Sequence, residues 1–232
     1  MLGYQPLIDN GMKIEQMVSD TKILRGVQIT DATAMTKGEM GHLLFNVVTS
    51  DRMIDVLSIG ENNEYKVSDQ TILGKYKHIY ETTGVISGND DTYLTQNMAA
   101  PNGTICVEGE PYGVGDSDVK DLLGQNVTMY YQQYEDEDMG TVLYAYSYNT
   151  TVKKVSAKDI DKLEGMQLHY FDGDKAVPAH ISQNVDVLYN NAPALPFTPA
   201  DVMPKNGTVA LIDNDNDGVV DVIITEEYQP CV

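Results

Sequence analysis

Tryptophan is absent from the chain, cysteine occurs twice, and acidic side chains outnumber basic ones 35 to 15. The resulting formal net charge of −20 excludes the basic face that binding nucleic acid requires. It equally excludes docking on an anionic membrane by charge. Cys106 and Cys231 lie far apart, and two thiols cannot build a disulfide framework; they read as unpaired thiols, with a single bridge as the alternative. No apolar run is long enough to span a bilayer, so membrane insertion is not expected. The opening residues Met1-Leu2-Gly3-Tyr4-Gln5-Pro6 lack the basic and apolar regions of a signal peptide. The expectation is therefore a chain that is not secreted or an internal piece of a longer protein. Recognisable catalytic fingerprints are missing too: there is no nucleophile elbow, zinc-protease helix, P-loop or dinucleotide-binding turn. His42, His78, His169 and His180 have no metal-ligand spacing among themselves, and no carboxylate pair is singled out for glycoside hydrolysis. A non-catalytic protein is expected.

What is present is a globular composition, with 42% apolar and 22% charged residues over 232 positions. The patterning predicts an α+β chain that is mainly β. A short N-terminal helical segment is followed by small β-barrel or sandwich-like units. Three domains are expected: 1–58 helical, 59–160 β-rich, and 161–232 β-rich with an acidic hairpin.

That hairpin, Thr208 to Thr225, is the most informative stretch. Val209–Ile212 and Val219–Thr225 are apolar, β-branched strand signals, and Asp213–Gly218 connects them. Asp213, Asp215 and Asp217 occupy positions 1, 3 and 5 of the loop, Gly218 position 6 and Asp221 position 9. Alternating aspartates with a glycine at the sharp turn converge oxygens on Ca²⁺. The loop is not an EF-hand, because position 12 is Ile224 and the flanks are strands. No Lys or Arg lies among the four carboxylates, and at about 5 Å each pair repels by roughly 1 kcal/mol in water. A divalent cation, Ca²⁺ by ligand type, would reverse that sign. The alternative is a bare, solvated Asp/Asn/Gly turn.

Along the rest of the chain, Ile14, Met17, Val18 and Leu24 predict an amphipathic helix from about Met12 to Ile23. Thr36-Lys37-Gly38-Glu39 reads as a capping box, opening a second helix with Met40, Leu43, Leu44, Val47 and Val48 on one face and His42 solvated off it. Met53–Ile59 is a strand or extended arm. Ile79–Ser87, Thr104–Val107 with a partner beyond Glu110, Gln125–Gln133, Thr141–Tyr148 and Val152–Ala157 form a set of about five strands. Asp116–Leu123 is a short helix or turn. Glu135–Asp138 reads as a solvated hairpin loop. Tyr144, Tyr146 and Tyr148 alternate along one face, with Tyr130 and Tyr134 on the neighbouring strand; the ladder packs cross-strand or meets a glycan or partner subunit, and the lack of Trp weighs against a lectin. Four Asn-x-Thr sequons read as turn chemistry. Gln167–Phe171 pairs with Val177–Ile181 across Asp172-Gly173-Asp174, Val185–Tyr189 is a further strand, and Asn190–Pro204 is irregular. Glu226–Val232 reads as an extended run that pairs with a neighbour or continues into a longer parent chain.

The segment from Leu2-Gly3-Tyr4 through Gly11–Val48 resembles one repeat of the S-layer homology family, with Thr36-Lys37-Gly38-Glu39 at the place of its T-R-x-E-type motif. Lys37 stands where the family carries Arg, keeping the charge and losing the planar fork. The β-rich remainder, including Asp186–Pro193 and Asn206–Gln229, resembles the region following such repeats in clostridial-type surface proteins. The resemblance implies a bacterial cell-surface, extracellular location. It also implies self-association or other surface-layer subunits as partners, and wall polysaccharide held through Lys37. The function expected is a structural surface component, Ca²⁺-stabilised, with a wall-glycan-binding module as the alternative.

Overall fold

A computed structural model describes residues 1–28, 34–61 and 63–228. Cys231 and the end of the extended run from Glu226 lie outside the described residues. The chain divides into two units, Met1–Tyr80 and Glu81–Val232.

The first unit carries α1 (Gln5–Asp9), α2 (Ile14–Thr21), α3 (Lys37–Val48), the hairpin β1 (Ile54–Ser58) and β2 (Glu64–Val67), and α4 (Ile72–Lys77). Helix α2 is shorter than its apolar spacing predicts and stops where Lys22 turns left-handed at φ 53°. Helix α1, started by Pro6 in its first turn, is an addition to the expected set. The α3 capping box is formed: Thr36 Oγ1 accepts from the Glu39 N–H at 3.2 Å, and Glu39 Oε2 accepts from the Thr36 N–H at 2.7 Å. The Thr36 N–H and, at 2.8 Å, the Thr36 hydroxyl both donate to Glu39 Oε2 and hold that carboxyl below its ordinary pKa. Thr36→Ala is expected to cost about 1 kcal/mol, read as an earlier loss of helical circular dichroism from this unit in urea.

The core of the first unit is Leu2, Tyr4, Leu7, Met53 and Ile54, with Met17, Ile23, Val47, Val56 and Ile72 packed around it. Val47 joins the core, whereas Met40 and Leu44 stay 45% and 48% exposed. His42 is exposed, as expected.

In the second unit, β3 (Ile79–Asn89), β4 (Thr104–Val107), β5 (Glu110–Gly113), β6 (Asn126–Gln132) and β7 (Thr141–Ser147) close a barrel in the order β3-β4-β5-β7-β6. A 3-10 turn over Val119–Leu122 lies between β5 and β6. The barrel core is Ile86, Ile105, Val107, Val127, Met129 and Val142 from the inward face of the strands, with Val119 added from the 3-10 turn.

The remaining strands are β8 (Thr151–Ser156), β9 (Ile160–Glu164), β10 (Gln167–Asp172), β11 (Lys175–Tyr189), β12 (Ala192–Pro193), β13 (Gly207–Asp213) and β14 (Val219–Glu227), with α5 (Pro199–Val202) before β13. They make a seven-stranded sheet ordered β8-β13-β14-β11-β10-β9, with β12 on β11. Strand β8, grouped with the barrel strands by its position in sequence, pairs instead with β13, Val155 opposite Val209. The stretches read as two strands around residues 177 and 187 are one continuous β11. This strand pairs antiparallel with β10 through its first half and parallel with β14 through its second.

Strands β13 and β14 run through the centre of this sheet and are covered on both faces. One cluster holds Leu168, Val187, Val209 and Ile223, all fully buried. A second joins Leu188, Ile212 and Val222 of the sheet to Leu94, Val85 and Leu123 of the barrel unit. Burial of each such side chain stabilises by about 1.5–3 kcal/mol, and cover on both faces explains why these strands read as continuous apolar runs. Gly124 lies against the sheet: a Cβ there would sit 2.9 Å from Val222 Cγ1 and 3.2 Å from Ile212 Cδ1.

Candidate metal centre

The acidic loop is the turn of the β13–β14 hairpin, whose register runs from Gly207 opposite Glu227 to Ile212 opposite Val222. Asn216 at φ 59° and Gly218 at φ 89° carry its two left-handed bends, a conformation that Asn and Gly tolerate best.

The loop's side chains fold back onto its own backbone. Asp213 Oδ2 accepts from the Gly218 N–H at 2.9 Å, and Asp213 Oδ1 from the Asp215 N–H at 3.4 Å. Asp215 Oδ1 accepts from the Asp217 N–H at 3.1 Å, and Asp221 Oδ2 from the Asn214 N–H at 2.9 Å. The outcome is that Asp213, Asp215 and Asp221 bring one carboxylate oxygen each within 4.8 Å of one another. Two oxygens on one Ca²⁺ at 2.3–2.6 Å can be no more than about 5 Å apart, so the spacing fits a shared ion. Asp217, whose Oδ1 accepts from the Val219 N–H at 2.7 Å, is not part of this group.

None of the ion pairs among the described residues involves these aspartates. Burial raises the Asp221 pKa, the Asn214 N–H opposes that rise, and the negative charges of Asp215, Asp213 and Asp217 add to it.

Asn214 is the residue that sequence reading passed over. It is buried, donating from Nδ2 to the Gly124 carbonyl at 2.9 Å and accepting at Oδ1 from the Asn126 N–H at 2.7 Å. Its neighbours extend the tie: Asn149 Nδ2 donates to the Asp215 carbonyl at 2.7 Å, Asn216 Nδ2 donates to Asn149 Oδ1 at 3.2 Å, and the Thr151 hydroxyl donates to Asn216 Oδ1. The acidic loop is therefore fastened to the start of β6 and to the turn between β7 and β8. Within D-N-D-N-D-G, Asn214 has the same local signature as the exposed Asn216, and only its burial separates them.

Beside the loop, Asp221 and Asn214 also line a cleft of about 460 Å³, together with Glu108, Asp186, Leu94 and Val222. Burial raises the Asp186 carboxyl above its ordinary range. With three carboxylates on its wall, the cleft extends the negative field of the loop.

The other expected positions sit elsewhere. Lys37 is exposed at the first position of α3, in the first unit. Tyr144, Tyr146 and Tyr148 lie on the outer face of the barrel, with Tyr130 opposite Tyr144 and the Tyr144 and Tyr146 rings 5.8 Å apart. Tyr148, 68% exposed, is the most open of the three. Glu135–Asp138 form an exposed turn in which Glu137 Oε2 accepts from the Tyr134 N–H. Cys106 is a buried free thiol.

No family model, curated protein or solved structure matches the chain.

Proposed function

We propose that the chain is a non-catalytic structural module of a bacterial surface or extracellular assembly, stabilised by Ca²⁺ at the acidic hairpin. One observation carries this reading: Asp213, Asp215 and Asp221 converge to within 4.8 Å with no cationic side chain paired to them, on a loop whose buried Asn214 fastens sheet to barrel. A cation there would neutralise like charges at a mechanical joint rather than at a reaction centre. Oxygen-only donors, three of them carboxylates, suit Ca²⁺ better than Mg²⁺, which demands near-octahedral geometry and keeps several of its waters. The location on a bacterial surface, and association with copies of itself or other surface subunits, rest on the resemblance of residues 2–48 to an S-layer homology repeat and on the −20 net charge.

Calorimetric titration with Ca²⁺ tests the metal reading. The wild type should bind one ion, and Asp213→Ala and Asp215→Ala should each abolish the heat; a wild type that takes up no Ca²⁺ refutes it.

The second reading, a wall-glycan module, is favoured by the exposure of Lys37 at the start of a securely capped helix. Its test is co-sedimentation with cell-wall sacculi, which Lys37→Ala should abolish.

A further inference from the structure

The outer face of the barrel carries a cleft that neither the aspartates nor Lys37 takes part in. Strand alternation turns Asn126, Thr128 and Tyr130 of β6 outward, because Val127 and Met129 between them belong to the barrel core. On β7, Tyr146 stands opposite Thr128 and Tyr144 opposite Tyr130. Tyr148 continues the row, its N–H donating to the Asn126 carbonyl. The rings of Tyr144, Tyr146 and Tyr148 are 59%, 36% and 68% exposed, and at the rise of an antiparallel strand the row spans about 14 Å. At its Tyr148 end lies a cleft of about 400 Å³, lined also by Thr83, Glu108, Asn126 and Thr128.

Thr128 is only 8% exposed. Its hydroxyl lines the cleft and has no hydrogen-bond partner among the described residues. Burial of a polar group without a partner is unfavourable, so this hydroxyl is an opening for a ligand that can both donate and accept. The Asn126 amide beside it is likewise without a side-chain partner among the described residues. Glu108 is held in place: its Oε1 accepts from the Val85 N–H at 3.4 Å. Its side chain fills the space that Gly84 leaves, where a Cβ would sit 2.5 Å from Glu108 Cγ.

This lining selects the class of ligand. No Lys, Arg or His among the described residues lines the cleft, so an anion would find no counter-charge. The one apolar side chain on the list of its walls, Val127, is turned into the barrel core, so a lipid chain would find no apolar wall. A cation has no acceptor to offer, and would leave the Asn126 amide N–H and the Thr128 hydroxyl proton unmet. Sugar hydroxyls donate and accept, and the weakly positive C–H face of a pyranose lies against the negative face of a tyrosine ring. The run Met139–Val152 around the rings carries no charged side chain, which suits a neutral chain.

We infer that this face binds a neutral oligosaccharide, one sugar ring seated over Thr128 and the next ones stacked along Tyr148, Tyr146 and Tyr144. Tyrosine supplies the flat ring in a chain that lacks tryptophan. The site goes beyond the function proposed above, since it lies apart from Lys37 and from the metal loop.

The test is a nuclear magnetic resonance titration of the full chain with neutral hexasaccharides of glucose, mannose, galactose and N-acetylglucosamine, and with the four monosaccharides. At least one hexasaccharide should shift the Asn126, Thr128 and Tyr148 amides saturably, and bind roughly tenfold or more tighter than its monosaccharide. Tyr148→Ala, at an exposed position outside the barrel core, should weaken binding roughly tenfold or more. Thr128→Val, which keeps the shape and removes the hydroxyl, should weaken it about fivefold; Lys37→Ala should leave it unchanged. Four hexasaccharides that leave these amides unmoved overturn the inference, as does binding that Tyr148→Ala and Thr128→Val both spare. Tetramethylammonium shifting the same amides where no sugar does would give the rings to a cation and overturn it too. Loss of sacculus co-sedimentation in Lys37→Ala alone would bear on the wall-glycan reading and not on this site.

Discussion

In millimolar Ca²⁺ the Glu81–Val232 unit is expected to melt about 5–10 °C higher than in EDTA. The magnitude follows from linkage. An ion present at about 100 times its dissociation constant stabilises the folded state by about 2.7 kcal/mol, since it binds there and not to the unfolded chain. A unit of about 150 residues gains roughly 2–4 °C for each kcal/mol. The variant Asp215→Ala makes the result diagnostic, because its sign depends on the metal. In EDTA it removes one of three carboxylates crowded within 4.8 Å, so it should melt at or above the wild-type temperature. In Ca²⁺ it removes a ligand and should melt below the wild type. Differential scanning calorimetry reads both. Curves that superimpose in Ca²⁺ and EDTA would eliminate the metal site.

Asn214→Ala should lower the stability of the same unit by about 3 kcal/mol, and its melting temperature by roughly 6–12 °C. The side chain is 8% exposed and satisfies the Gly124 carbonyl and the Asn126 N–H at once. Truncation leaves both backbone groups without their partner, at about 1–3 kcal/mol each when buried. Asn214→Asp should be no better, because it replaces the donor to Gly124 with an acceptor and adds a charge beside Asp221. The control is Asn216→Gly on the exposed side of the same turn, where glycine keeps the left-handed φ of 59° and the loss should stay below about 1 kcal/mol. Equal effects at 214 and 216 in urea denaturation would remove Asn214 as the fastening between loop and barrel.

The parts that were legible in the sequence share a short range of interaction. Thr36 and Glu39 form their capping box because its chemistry is complete within four residues. The hairpins β4–β5, β10–β11 and β13–β14 follow from apolar runs separated by Gly, Asp and Asn, where turn chemistry sets the register. The tyrosine alternation along β7 follows from the two-residue period of a strand. The parts that were not legible depend on partners distant in sequence. Strand β8 leaves its sequence neighbours for β13, and β11 reads as two strands because its middle residues Gln183 and Asn184 are polar and exposed. The β11–β14 pairing is parallel, and no local turn announces a parallel partner.

At the candidate site the same division holds residue by residue. The spacing of aspartates and glycine by itself determined that a tight, oxygen-rich, uncompensated turn would stand between two buried strands, because backbone bonds from Asx side chains and the hairpin period are local properties. Tertiary structure alone decided which carboxylates meet. Asp221 reaches back from β14 to Asp213 and Asp215, while Asp217 turns to its own backbone. Tertiary structure alone also buried Asn214 against Gly124 and left Asn216 in solvent. The physical reason is that burial and non-local hydrogen bonding depend on where the barrel and the sheet pack, and identical neighbours in D-N-D-N-D carry no record of that packing.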